Sequence, residues 1–162
     1  MKKKIAFIDR DGVINKKAPI HQHITKVSDF IFNEGIFLVL KKLRDCGFEL
    51  IIISNQRGVG NGEMTLRDLQ DIHEFMIKEL KLKGIEFLDS FYCPHQKDEC
   101  DCRKPKPGLM NQALEKYEID LKQSVFVGDS STDELTAKAF GLDFWGIKAD
   151  HPEDLLLKLL DV

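Results

Sequence analysis

The chain has 162 residues, 43% of them hydrophobic and 31% charged, enough for one domain with a real core and too few for two comfortable ones. Its 24 basic and 27 acidic side chains leave a net charge of −3, and no basic block follows Lys2, Lys3 and Lys4, which disfavours a nucleic-acid backbone as the main partner. No segment approaches membrane-spanning length, and the apolar run after those lysines is too short for a leader, so the chain reads as cytoplasmic with no membrane partner.

The first element is the apolar run Ile5, Ala6, Phe7 and Ile8, whose β-branched and aromatic members predict a strand buried on both faces. It stops at Asp9 and Asp11. Two residues apart, these carboxylates point the same way if extended geometry persists through Arg10, into the space beyond the strand's carboxyl end where open α/β sheets bind ligands. Two acids there repel unless a cation lies between them, and a hard dication such as Mg²⁺ suits oxygen ligands. A plain Asp-Gly turn at Gly12, capping a core strand, is the simpler alternative.

Residues 16–28 are polar and aperiodic, with Pro19, His21 and His23, and form a loop close to the first acids. Ile36, Val39, Leu40 and Leu43 predict a helix over 35–46, stopped by Gly47. A second buried strand, 48–53, ends in Ser54, Asn55, Gln56, Arg57 and a glycine-broken loop through Gly62. Thr65 and Asp68 form a capping-box variant that opens a long helix buried through Leu66, Leu69, Ile72, Met76 and Leu80 and closed by Gly84. A third strand is expected over 85–92. Pro107 suits the first turn of a helix through Tyr117, buried through Met110, Ala113, Leu114 and Tyr117. A strand over 124–127, a small-residue helix over 132–140, a strand over 144–147 and a Leu-rich helix over 152–160 complete the chain. This alternation predicts a single Rossmann-like, three-layer α/β domain across 1–162, with a mainly parallel sheet between helices. Asp9, Asp11, Ser54, Lys104 and Asp129 then converge on one edge.

Asp129 follows the fourth strand through Gly128, and a third carboxylate at that edge completes an acidic nest for a divalent ion. Helix N-capping is the alternative use of this segment, and Asp133 is assigned to it. Ser54 and Asn55 offer a hydroxyl and an amide to phosphate oxygens. Arg103 and Lys104 offer a fork and a point charge to anionic oxygens, with a solvated basic turn as the alternative and Lys106 as a rival for the role of Lys104. Cys93, His95, Cys100 and Cys102 form C-x-H-x4-C-x-C, the donor set of a closed structural zinc site. A disulfide is the alternative, disfavoured by the tight C-x-C spacing and a cytosolic setting. Such a site does no chemistry itself but shapes the loop that delivers Arg103 and Lys104. Cys46 reads as a small buried hydrophobe.

DRDGVIN, SNQRGVG, CPHQKDECDCRKPKPG and VGDSSTD, in this order, resemble the haloacid dehalogenase-like phosphatases over nearly the whole chain. The most similar branch carries a zinc loop and contains heptose bisphosphate phosphatases and histidinol-phosphatase domains. The resemblance implies that Asp9 is a nucleophile forming an aspartyl phosphate and that Asp11 protonates the leaving oxygen and then deprotonates water. It implies Mg²⁺ held by Asp9, the backbone carbonyl of Asp11 and Asp129, with Ser54 and Lys104 on the transferring phosphoryl group. Asn55, Gln56, Arg57 and Arg103 are expected to bind substrate.

No insertion is large enough for a cap domain, so selection of a small phosphorylated substrate falls to residues 16–25, 57–63 and the zinc loop, 93–102. Lys16, Lys17, Arg57 and Arg103 flank the expected pocket, and no acid occurs between Gly12 and Asp29. That favours the second phosphate of a sugar bisphosphate, D-glycero-D-manno-heptose 1,7-bisphosphate losing its 7-phosphate, over the ammonium of histidinol phosphate. The histidinol-phosphatase branch usually has Glu-Pro where this chain has Ala18-Pro19, whereas heptose enzymes often have tyrosine at the place of His23. A phospho-acceptor signalling domain would need its acceptor Asp at the end of the third strand, where Cys93 stands. A DNA-end phosphatase would need a basic, aromatic-lined surface.

Overall fold

The computed structural model describes residues 1–162. The strands are β1 (Ile5–Ile8), β2 (Glu49–Asn55), β3 (Asp89–Cys93), β4 (Val125–Gly128) and β5 (Asp143–Gly146). They form one sheet in the order β3-β2-β1-β4-β5, with every pairing parallel. The longest helices are α1 (Ile36–Asp45) and α3 (Leu66–Leu82), with α2 (Arg57–Gly60) a single turn between β2 and α3. After β3 come α4 (Gly108–Lys116), α5 (Ser131–Ala139) and a short α6 (Leu155–Lys158). No helix is long and apolar enough to cross a membrane.

Strand periodicity divides the core in two. Ala6 and Ile8 of β1 join Leu50, Ile52, Val125 and Val127 beneath α1, α3 and α6, whereas Ile5 and Phe7 join Ile51, Ile53 and Phe126 beneath α4 and α5. Both faces of the central strand are therefore fully buried, which is why its sequence shows no polar alternation. Each fully buried Leu, Ile or Phe contributes about 1.5–3 kcal/mol of transfer free energy.

Several expected boundaries move. The third strand starts at Asp89, not 85, because Ile85 folds back on its own helix, its N–H donating to the Leu80 carbonyl at 3.0 Å. The loop after β2 contains the helical turn α2, and Pro107 is the residue before α4 rather than inside it. Leu114 and Tyr117 are half-buried, not core. The last helix is split into a 3₁₀ turn at Pro152–Asp154 and α6, ending at Lys158. The long helix keeps its expected cap. Asp68 N–H donates to Thr65 Oγ1 at 3.0 Å, and Thr65 N–H donates to Asp68 Oδ2 at 2.7 Å.

Candidate active site

Parallel pairing puts the carboxyl ends of β1, β2 and β4 side by side. Ile8 is level with Ile52 and Val127, and Asp9 N–H continues the ladder to the Val127 carbonyl at 3.1 Å. Asp9 thus leaves β1 beside the point where β4 delivers Asp129. Asp133 joins them from the first turn of α5. One oxygen from each of these three carboxylates lies within 4.8 Å of the others.

The cap assignment for Asp133 was therefore incomplete. Ser130 caps α5, its Oγ accepting from Asp133 N–H, while the Asp133 carboxylate is fully buried and ion-paired with Lys104 at 2.6 Å. The legible signal was Gly128, where a Cβ would collide with the Asp133 side chain.

Lys104 is the buried cation of the cluster. Its Nζ donates to Asp133 Oδ1, approaches Asp9 Oδ1 at 3.1 Å and donates to the Ile53 carbonyl at 2.8 Å. The rival Lys106 faces outward, donating to the Cys100 carbonyl at 2.8 Å. Burial and the charge of Asp133 push the Asp9 carboxyl up to about 8 against the opposing pull of Lys104, with Asp129 and Asp11 adding to the rise. Burial also raises Asp129, although Lys17 opposes it. Burial works to lower Lys104, but Asp9 and Asp133 outweigh it and hold the ammonium above its ordinary value.

Lys104 beside Asp9 and Asp133, and the half-exposed Lys17 beside Asp129, leave three acids against two cations. Asp129 Oδ1 is buried without any hydrogen-bond partner, and the donor set is all oxygen. Both features fit a hard divalent cation such as Mg²⁺. Gly12, at φ +89°, leaves room for this arrangement, since a Cβ there would strike the Asp129 carboxylate.

Asp11 takes different neighbours. Extended geometry does not persist through Arg10, because Val13 N–H and Ile14 N–H both turn back to the Arg10 carbonyl. The Asp11 carboxylate accepts from Arg10 at 3.1 Å, Asn15 Nδ2 at 2.8 Å and Gln56 Nε2 at 2.7 Å. Burial favours its neutral form, but the Arg10 charge and the hydrogen bonds from Asn15 and Gln56 prevail and hold it below the ordinary carboxylate range. Arg10 is fully buried, a feature that its polar neighbours Asp9 and Asp11 conceal in the sequence.

Gln56, expected to contact substrate, is buried and donates to both Asp11 and Ser54 Oγ while accepting from Arg10 NH2 at 3.0 Å. Asn55 also faces the protein. Its amide clamps the Lys104 backbone, accepting from Lys104 N–H at 2.9 Å and donating to the Lys104 carbonyl at 3.2 Å. Arg57 Nε and Arg103 NH1 are buried atoms without protein partners, so both guanidinium groups retain hydrogen-bonding capacity. Arg103 and Lys104 share a hollow of about 190 Å³ with Thr132. A larger cleft of about 350 Å³ runs from Asp11 along residues 17–24.

Cys93 Sγ, His95 Nδ1, Cys100 Sγ and Cys102 Sγ also gather within 4.8 Å of one another, and all cysteines are free thiols. Sulfur separations of 2.9–3.4 Å and His95 contacts of 3.3 and 3.6 Å make a closed S₃N set that could hold a metal ion. Two glycines seat this loop. A Cβ at Gly60 would stand 2.8 Å from the Pro94 carbonyl, and one at Gly108 would stand 2.6 Å from the Asp101 carbonyl.

The model of the polynucleotide kinase 3 phosphatase family matches residues 4–153. A D-glycero-alpha-D-manno-heptose-1,7-bisphosphate 7-phosphatase of Photorhabdus laumondii is 40% identical over 158 residues, 92% of this chain and 85% of that protein. A D-glycero-beta-D-manno-heptose-1,7-bisphosphate 7-phosphatase of Helicobacter pylori is 40% identical over 157 residues, covering 95% of this chain and 83% of its own. Among solved structures, a D,D-heptose 1,7-bisphosphate phosphatase from B. bronchiseptica, complexed with magnesium and phosphate, superposes with a TM-score of 0.84. It is 28% identical, with 96% of this chain and 86% of that one covered.

Proposed function

The chain belongs to the polynucleotide kinase 3 phosphatase family, among the haloacid dehalogenase-like phosphatases; from that premise we propose that it removes the 7-phosphate of D-glycero-D-manno-heptose 1,7-bisphosphate through an aspartyl phosphate. The observation that carries the reading is Asp9, held 3.1 Å from the buried Lys104 ammonium and flanked by Asp129 and Asp133.

Asp9 attacks phosphorus, and the bond from phosphorus to the sugar oxygen breaks. Asp11 delivers the proton that the leaving oxygen needs, taking it up when the negative phosphate beside it raises its affinity for protons. In the second step Asp11 removes a proton from water, which attacks the phosphoryl group and releases phosphate and Asp9. Arg10, Asn15 and Gln56 favour the ionised Asp11 that this step requires. Lys104 and Ser54 face the charge that builds on the phosphoryl oxygens. Mg²⁺ held by Asp9, Asp129 and the Asp11 backbone carbonyl would supply the positive charge that the acids otherwise deny an incoming phosphate.

Substrate identity rests on the two heptose bisphosphate phosphatases at 40% identity, and guanidinium groups such as those of Arg57 and Arg103 suit the second phosphate of a bisphosphate. The test is phosphate release from both heptose bisphosphate anomers, histidinol phosphate and nicked DNA bearing a 3′-phosphate, with and without Mg²⁺. One heptose anomer should exceed the other two classes in kcat/KM by about 100-fold or more. A preference for histidinol phosphate or for the DNA end would overturn the substrate assignment.

We assign zinc to Cys93, His95, Cys100 and Cys102 on donor chemistry. Metal analysis should find about one zinc per chain, and a chelator strong enough to remove it should lower both Tm and activity, since Arg103 and Lys104 follow directly from Cys102.

A further inference from the structure

Lys17 makes a contact that substrate binding does not call for. It stands at the start of the loop lining the large cleft, yet its ammonium lies 2.6 Å from Asp129 Oδ2. The Asp129 side chain is fully inaccessible, and Lys17 is the cation paired with it. Its other oxygen, Oδ1, is the buried atom without a partner. The two oxygens of one carboxylate are thus differently provided for: one is held by an ammonium, and the other is left for a metal.

The base of the lysine is fixed as well. Lys17 N–H donates to Asp150 Oδ1 at 2.8 Å, and the same oxygen accepts from Asn33 Nδ2 at 3.4 Å. Asp150 N–H in turn donates to the Gly12 carbonyl at 2.8 Å, which ties this support to the turn bearing Asp11. The ammonium therefore approaches from an anchored backbone and not from a free loop.

We propose that Lys17 is a positioning residue for the divalent cation, holding Asp129 by Oδ2 so that Oδ1 is presented to the ion. The inference rests on the Mg²⁺ reading given above and extends it to a residue outside the ligand set. Carboxylate ligands are commonly oriented by a hydrogen bond to the oxygen that does not bind metal, and losing such a partner typically weakens metal binding 10- to 100-fold. Charge is consistent with the arrangement. Asp9, Asp129 and Asp133 carry three negative charges, which Lys104 and a dication would balance, and Lys17 adds the one positive unit in excess that a phosphate dianion favours.

The test is binding of Mn²⁺ to the substrate-free, zinc-loaded chain, followed by the spin-resonance signal of the free ion. Lys17→Met should weaken binding about tenfold or more, and Lys17→Arg, which keeps a donor within reach of Oδ2, should stay within about threefold of the parent. Zinc content should be unchanged by either variant. Lys17→Met leaves the buried Asp129 carboxylate without its cation and should lower the Tm of the Mn²⁺-free protein by a few degrees, so binding is measured well below that Tm, where the variant still melts cooperatively, and this separates the effect from a loss of fold. Equal or tighter binding by Lys17→Met would overturn the proposal, the latter showing that the lysine competes with the ion instead of preparing its ligand. A Lys17→Arg variant as weak as Lys17→Met would overturn it too. A parent that binds no Mn²⁺ would sink the Mg²⁺ reading along with this one, so the two failures are distinguishable.

Discussion

The Asp9→Asn variant is expected to release phosphate at least about 10⁴-fold more slowly than the parent while folding as well or better. The two halves of this result have one physical cause. As an ionised group, Asp9 is a nucleophile set among acids that oppose its charge. Burial and Asp133 raise its carboxyl to about 8, and Lys104 offsets them only in part. An amide removes the nucleophilic oxygen together with the unfavourable charge. It also keeps the local bonding, because a carbonyl oxygen can still accept from Arg10 N–H, which donates to Asp9 Oδ1 at 2.8 Å. A loss of activity that came from unfolding would carry the opposite stability sign.

The same crowding makes a pH prediction for protein stripped of divalent ions. With a folded-state value near 8 against an ordinary 3.8, the folded chain binds the Asp9 proton more tightly than the unfolded chain does. Stability from this group is greatest below pH 4 and is lost as pH rises to about 8. Asp11 has the opposite sign, since its folded value is depressed and its contribution is lost on acidification below the ordinary carboxylate range. Thermal melts of metal-free parent and Asp9→Asn between pH 5 and pH 8 should therefore converge at low pH and diverge at high pH, with the variant the more stable at pH 8. Parallel curves would show that Asp9 is not the strained acid.

Residue type and spacing made much of this arrangement legible. The unbroken run Ile5 to Ile8 required burial on both faces, which only a central strand satisfies, and it is β1 at the middle of the sheet. From there, polar punctuation at strand ends led to Asp9 and Asp129, whose carboxylates come together because parallel pairing aligns those ends, whereas Ser54 is fully buried and accepts from Gln56. Side chains whose surroundings come from distant strands were harder to read. Arg10 resembles a surface residue in a polar turn, yet it is fully buried because Asp11 and Gln56, 45 residues apart in sequence, converge on its guanidinium. Asp133 sits where helix caps are common, and local propensity accounts for it fully until Lys104 arrives from another loop. Asn55 and Gln56 are expected as substrate contacts, but their amides bond to Lys104 in one case and to Asp11, Arg10 and Ser54 in the other, and most of these partners lie 45 or more residues away in sequence. Periodicity reports which face is buried, and it cannot report which buried polar groups find each other.

Lys104→Met should lower Tm by about 10 °C as well as reducing kcat by about 10²- to 10³-fold. Methionine fills a similar volume, so the cost is electrostatic. The variant leaves Asp9 and Asp133 buried without the ammonium that lies 3.1 Å and 2.6 Å from them, and leaves the Ile53 carbonyl without its donor. Breaking a buried pair by removing one partner typically costs about 3–5 kcal/mol, because the remaining charge stays buried. Lys106→Met is the matched control. That side chain is half-exposed, 3.9 Å from Asp98 and bonded to the Cys100 carbonyl at 2.8 Å, so its loss should cost no more than about 1.5 kcal/mol. A third variant separates stability from chemistry. Lys104→Met combined with Asp133→Asn removes both members of the fully buried pair, and the two stability losses should be non-additive by about 1–3 kcal/mol in favour of the double variant. Activity should not return with it, because the amide at 133 does nothing to replace the cation on the phosphoryl group. If activity instead recovers in parallel with stability, Lys104 serves the fold alone and the phosphoryl charge is met elsewhere.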